Sequence, residues 1–135
     1  MRCFILLCCF LLIHTSIVEA KSPQHMSEEE QLGTMAGLAF ACGSKQKLED
    51  FELIASRLLA NKSSSDAEEK QKIRIYMQAK WQALQQQKSG SDVSCTEILE
   101  HFDKLPLFNS IVYRDGSVKL PDGKWSRPIR TTKRR

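Results

Sequence analysis

Three times in this chain a serine stands three residues ahead of a glutamate just where an apolar periodicity begins: Ser27 and Glu30, Ser65 and Glu68, Ser94 and Glu97. At that spacing the serine oxygen accepts from a free backbone N–H while the carboxylate reaches back to the serine's own N–H, so two of the donors that a helix start leaves open are satisfied reciprocally. Three such starts, each followed by apolar residues at three- and four-residue intervals, commit most of the chain to helix.

The first helix is expected from Ser27 to about Ala41, with Leu32, Met35, Ala36, Ala39 and Phe40 on its buried side and Cys42-Gly43 as its stop. Glu28 and Glu29 suit the positive end of the helix dipole, so the acidic triplet reads as a helix start and not as a catalytic carboxylate cluster. Gly33, Gly37 and Ala41 recur every four positions and would let another helix approach this backbone closely. A second helix fits Lys45 to Asn61, with Leu48, Phe51, Ile54, Ala55, Leu58 and Leu59 in one stripe. The third and longest spans Asp66 to about Lys88, with Ile73, Tyr76, Met77, Trp81 and Leu84 expected inside and Lys70, Arg74, Gln78, Gln82 and Gln85 outside. After the Ser89-Gly90-Ser91-Asp92 linker a short fourth helix carries Ile98, Leu99 and Phe102 to roughly Lys104, and Pro106 bars its continuation. The expected common core is Leu48, Phe51, Leu58, Met77, Trp81, Leu84, Ile98 and Phe102.

Beyond Pro106 the period changes to two. Ile111 to Arg114 and Ser117 to Leu120 flank Asp115-Gly116, and a two-residue turn there would pair Tyr113 with Val118 and Ile111 with Leu120, all four on one face. An isolated hairpin is marginal in water, so its apolar face must lie on the helices or on a partner. The expected fold is mainly α: a small disulfide-tied bundle of about four helices with a C-terminal β-hairpin and a disordered basic tail.

The N-terminus reads as a cleavable signal peptide. Arg2 supplies the positive start, Phe4 to Ile13 is apolar, and Val18-Glu19-Ala20 offers small residues at the cleavage positions. The apolar run is ten residues, half of the roughly 20 that a membrane-spanning helix needs, so no transmembrane segment is expected after cleavage. The organisation is then a signal peptide at 1–20, a flexible leader at 21–26, a helical domain with its hairpin at 27–120, and a basic tail at 121–135. Removal of residues 1–20 discards Cys3, Cys8 and Cys9 and leaves a 115-residue chain, enough for one domain and one modest core.

Cys42 and Cys95 are the only cysteines left, and export places them where disulfides form. Their pairing would close a loop of 54 residues. A metal site with His25 and His101 lacks close ligand pairs, and a redox dithiol lacks Cys-x-x-Cys spacing. No Gly-x-Ser-x-Gly elbow, phosphate loop, zinc-peptidase helix or calcium loop is present, so no catalytic residue, metal or cofactor is assigned and the balance is against an enzyme. Asn61-Lys62-Ser63 is a glycosylation sequon in an expected polar loop, relevant only in a eukaryotic secretory pathway.

Charge distribution says more than the net +4. From Arg114 onward eight Lys or Arg face only Asp115 and Asp122, which leaves the body of the chain mildly acidic. Lys124, Arg127, Arg130, Lys133, Arg134 and Arg135 follow or flank the single large aromatic Trp125 and form the candidate contact segment. Such a segment suits another protein or an anionic envelope surface, whereas nucleic acid fits an exported chain poorly. The expected function is an exported non-catalytic binding or accessory protein of the periplasm or extracellular space. A small secreted hydrolase is the contrasting class, and a secreted effector, toxin or signalling factor is a third.

Overall fold

The computed structural model describes residues 26–129; the expected signal peptide, leader residues 21–25, His25 among them, and tail residues 130–135 lie outside the described residues. Four helices follow in order: α1 (Glu28–Ala41), α2 (Gln46–Asn61), α3 (Asp66–Lys88) and α4 (Cys95–Asp103). A 3-10 turn at Pro106–Asn109 leads into three two-residue strands, β1 (Ile111–Val112), β2 (Val118–Lys119) and β3 (Trp125–Ser126), paired antiparallel in sequence order.

The helix starts form as their sequences dictate, with one variation. Ser27 with Glu30 and Ser94 with Glu97 make complete reciprocal capping boxes. At α3 the Ser65 hydroxyl accepts from Glu68 N–H, but the Glu68 carboxylate turns to Ser64, taking its backbone N–H at 2.7 Å and its hydroxyl at 2.6 Å. That concentration of donors, led by the Ser64 hydroxyl and helped by Lys72, lowers the Glu68 pKa to about 2. At the other end of α1, Ser44 N–H donates to Ala39 O and Gly43 N–H to Phe40 O, the double closure of a Schellman motif, with Gly43 at φ +85° as that turn requires.

The small-residue repeat of α1 fixes the architecture. Gly33 lies against the Tyr76 carbonyl and Gly37 against the Lys80 carbonyl, so α1 and α3 run in the same direction with their backbones almost touching. This is the broadest helix–helix contact among the described residues. It also overturns part of the expected core. Close approach favours the side of α3 that offers Tyr76, Ala79 and Ala83, and those residues are buried there. Ile73, Met77 and Trp81, expected inside, are exposed, as are Met35 and Phe40 of α1. A larger side chain is not what these two helices exclude water with.

The main core is Leu32, Ala36, Ala39, Leu48, Phe51, Ala55, Leu59, Tyr76 and Phe102, with Leu105, Leu107 and Phe108 packed against it. Phe51, Phe102 and Phe108 meet in a ring cluster with centroids 5.2 to 6.2 Å apart. Leu84 and Ile98 are buried as expected. Leu58 belongs to a second cluster, with Ile54 and Val118, where the sheet docks on α2. Across the bundle Glu52 of α2 accepts from the Tyr76 hydroxyl and pairs with Lys80; burial first, then the Glu52 charge, pushes the Tyr76 phenol well above its ordinary pKa.

The hairpin differs from expectation by one residue of register. Ile111 pairs with Lys119 and Val112 with Val118, so the connection is three residues, Arg114-Asp115-Gly116, with Gly116 at φ +86°. A type I turn closed by a left-handed glycine accounts for it, and the Asp115 carboxylate secures the turn by accepting from Ser117 N–H and Oγ. The shift divides the four apolar residues that a two-residue turn would have placed together. Val118 is fully buried, while Ile111 and Tyr113 face outward. The segment expected as tail contributes β3, so the hairpin becomes a three-stranded meander.

Candidate contact surface

The outer face of the sheet gathers an aromatic pair and cations. Pairing aligns Ile111, Lys119 and Trp125 across the three strands, and Tyr113 lies two residues further along β1's chain. The Tyr113 and Trp125 rings are 5.1 Å apart, tilted by 36°. Lys119 Nζ lies 5.9 Å and Arg127 Cζ 5.3 Å from the Trp125 ring. Cations at that distance from an indole face are attracted by its quadrupole, which holds them beside the ring rather than spread over solvent. Even so, Trp125 remains 45% and Tyr113 40% exposed.

Of the contact residues expected from sequence, Trp125 and Arg127 therefore come together. Lys124 stands apart: its ammonium pairs with Asp122 at 2.9 Å, which raises its pKa and lowers that of Asp122. Arg130, Lys133, Arg134 and Arg135 lie outside the described residues. Lys119 and Tyr113, which the charge pattern of the sequence does not mark as contact residues, come together with Trp125. The signal existed in the three-residue turn, since moving Tyr113 to the outer face puts it beside any strand that Trp125 joins.

The inner face is attached to the helices by Asn61. This residue is the last of α2 and not part of a loop, and it is 3% exposed. Its amide nitrogen donates to Gly116 O and to Ser126 O, both at 3.0 Å, and so bridges the first turn to β3. Ser63 of the same tripeptide is buried, its hydroxyl donating to Leu59 O at 2.7 Å. The sequon thus has a structural use: a glycan on the Asn61 nitrogen would replace one of its two hydrogens, so that it could no longer donate to both Gly116 O and Ser126 O.

Cys42 and Cys95 lie at disulfide distance, with their Cα atoms 5.2 Å apart, and tie the end of α1 to the start of α4. Beside this tie is an apolar cleft of about 240 Å³ lined by Met35, Leu38, Val93, Ile98, Phe102 and Leu105, with His101 as its one titratable side chain. A second cleft, about 380 Å³, contains the Lys47–Asp103 ion pair at 3.0 Å, Asp50 and Ser110, and has no histidine or cysteine in its lining. Neither cleft brings a nucleophile to a histidine base. Among the described residues no group of three or more His, Cys, Asp or Glu is placed to hold a metal ion, and no helix is long and apolar enough to cross a membrane.

The class defined by this geometry is a mainly helical domain of four helices with a small antiparallel sheet and one cysteine pair at disulfide distance. Comparison of the chain with family models, with curated proteins and with solved structures finds no match.

Proposed function

We propose that this is an exported, non-catalytic binding or accessory protein of the periplasm or extracellular space that attaches to an anionic membrane surface through the outer face of its sheet. The observation that carries the reading is Trp125, held half-exposed beside Tyr113 with Lys119 and Arg127 against it. Trp and Tyr are the side chains best suited to a headgroup interface, because an apolar ring is joined to a polar tip. Cations around them add about 1 kcal/mol each near an anionic surface at low salt. Arg130, Lys133, Arg134 and Arg135 continue the same charge immediately after the sheet. The alternative of a small hydrolase has less support, because neither of the two clefts described brings a nucleophile to a histidine base.

Cosedimentation with phosphatidylglycerol and phosphatidylcholine vesicles tests the proposal. Binding should favour the anionic lipid, fall steeply as salt rises above about 100 mM, and be lost with Trp125→Ala. Removing residues 130–135 should weaken it and flatten its salt dependence. Equal binding to both lipids, or full binding by Trp125→Ala, would refute the assignment. Retained affinity for an acidic protein with none for vesicles would move the partner to that class.

A further inference from the structure

The second cleft collects its charged groups from separate elements. Lys47 and Asp50 stand one turn apart on the same face of α2, and Asp103 is the last residue of α4. Their charges sum to −1, and Lys104, which follows Asp103, is not in the lining. Phe108 forms one wall, its ring fixed by Phe102 and Phe51 with centroids 5.3 and 6.2 Å away. Lys47 Nζ lies 5.8 Å from the centre of that ring and 3.0 Å from Asp103 Oδ1. A lysine side chain is an alkylammonium, so the protein itself sets one against an aromatic face and a carboxylate here. Asp50 has no ion-pair or hydrogen-bond partner among the described residues. Ser110 Oγ, on the same lining, is buried and also lacks a hydrogen-bond partner, a free-energy cost that a bound polar group would recover. The rest of the lining, Leu53, Ile54 and Val112, is apolar.

We infer that this cleft binds a small amphiphilic primary amine. The ligand's ammonium takes the position that Lys47 Nζ holds, over the Phe108 ring and between Asp103 and Asp50, and its apolar body lies on Leu53, Ile54 and Val112. An ammonium has three donors and no acceptor, and the lining offers three acceptors: Asp103, Asp50 and, with its hydroxyl turned into the cleft, Ser110. Lys47 gives way because its side chain is 50% exposed and an exposed ion pair is worth little. What the ligand gains over Lys47 is burial of its body against the apolar wall. Charge selects the class. An anion would meet two carboxylates and an ammonium already committed to one of them, while a neutral alcohol would leave Asp50 without a counter-charge. A volume of about 380 Å³ lies near the lower end for ligand sites and limits the body to a short chain or a single ring. None of the outer-face residues of the sheet lines this cleft, so the inference does not rest on the membrane reading.

Titration of the purified protein with hexylamine at neutral pH, followed by amide NMR shifts, tests the inference, with hexanol and hexanoate as controls. Hexylamine should shift the amides of Lys47, Asp50, Ser110 and Val112 and bind about tenfold more tightly than hexanol, with hexanoate weaker still. Asp50→Asn, at an exposed position, should leave the circular dichroism unchanged and weaken hexylamine about threefold while hexanol binding stays as it was. Lys47→Gln is the decisive variant, because it removes the competing ammonium and should tighten hexylamine about threefold. Weaker hexylamine binding by Lys47→Gln would overturn the inference, since Lys47 would then be holding the ligand and not standing in for it. Hexanol binding as tight as hexylamine would overturn it as well, leaving an apolar cleft without a cation site. So would shifts spread over the whole surface, or no saturable shift at millimolar amine.

Discussion

Substituting Gly37 with alanine sets two magnitudes of opposite sign against each other. In an ordinary helix interior the change is favourable by about 1 kcal/mol, because alanine gives up less backbone freedom on folding. Here an added Cβ would sit 2.2 Å from the Lys80 carbonyl oxygen and 2.9 Å from the Ala83 Cβ. Ordinary carbon–oxygen contact needs roughly 1 Å more, and the obstructing atom is backbone in the middle of a helix, so no side chain can swing away to make room. The helices must part. Forcing extra carbon into a packed contact costs about 1–3 kcal/mol, and here parting α1 from α3 also loosens Ala36, Ala39, Ala79 and Ala83 along the same seam.

We expect Gly37→Ala to lose stability by about 2 kcal/mol net, measured by urea unfolding followed by circular dichroism. For a domain of this size that lowers the melting temperature by roughly 10 °C. Gly33→Ala meets the same geometry at the Tyr76 carbonyl and should behave alike. The double variant should cost clearly less than the sum of the two, because a single separation of the helices relieves both clashes. A gain of stability of about 1 kcal/mol in either single variant would refute the reasoning, since only helix propensity would then be acting.

Replacing Cys42 and Cys95 together with alanine should destabilise the protein by about 4 kcal/mol through the closed loop of 54 residues, and neither Cys42 nor Cys95 of the oxidised protein should react with maleimide under native conditions. Phe51→Ala should cost about 3–5 kcal/mol, whereas Trp81→Ala should cost under about 1 kcal/mol because the ring is half-exposed. The folded pKa of Glu68 lies below its unfolded value, so its contribution is present above about pH 4.5 and lost as pH falls toward 2; Glu68→Gln should melt lower than the parent at neutral pH and converge with it near pH 2. Asn61→Ala withdraws a buried donor from Gly116 O and Ser126 O and should cost about 1–3 kcal/mol, with faster amide exchange confined first to the three strands.

The helices were legible because their signals are local. Each capping serine and each apolar interval acts within a few residues, and all four helices lie within one or two residues of their expected bounds. Choosing the buried side of α3 was different, because it depends on the helix packed against it. Ile73, Met77 and Trp81 are the more apolar set, yet Gly33 and Gly37 reward a neighbour with alanines, and that preference lies 40 residues away in sequence. The glycine spacing itself marks tight packing, and a helix meeting it must offer small residues there. The hairpin register failed on a smaller point. Asp115-Gly116 serves equally as a two-residue turn or as the end of a three-residue one, and only docking of Val118 on Ile54 and Leu58 separates them.

How the sheet is attached bears on what its outer face can do. Its strands are two residues long, and a sheet so small has little stability of its own. Two features hold it: Val118 fills a site against Ile54 and Leu58, and Asn61 bridges Gly116 to Ser126. Both rest on the C-terminal half of α2, whose other side is the Phe51 and Leu59 core. The sheet thereby borrows rigidity from the bundle through one helix, and Trp125 is presented by β3, the strand whose Ser126 carbonyl Asn61 holds. Contact with a charged surface gains most when the aromatic is already oriented, because less ordering remains to be done on binding. Asn61 and Val118 are accordingly positioning residues for the outer face, though neither touches it, and weakening either should reduce binding without changing the surface charge.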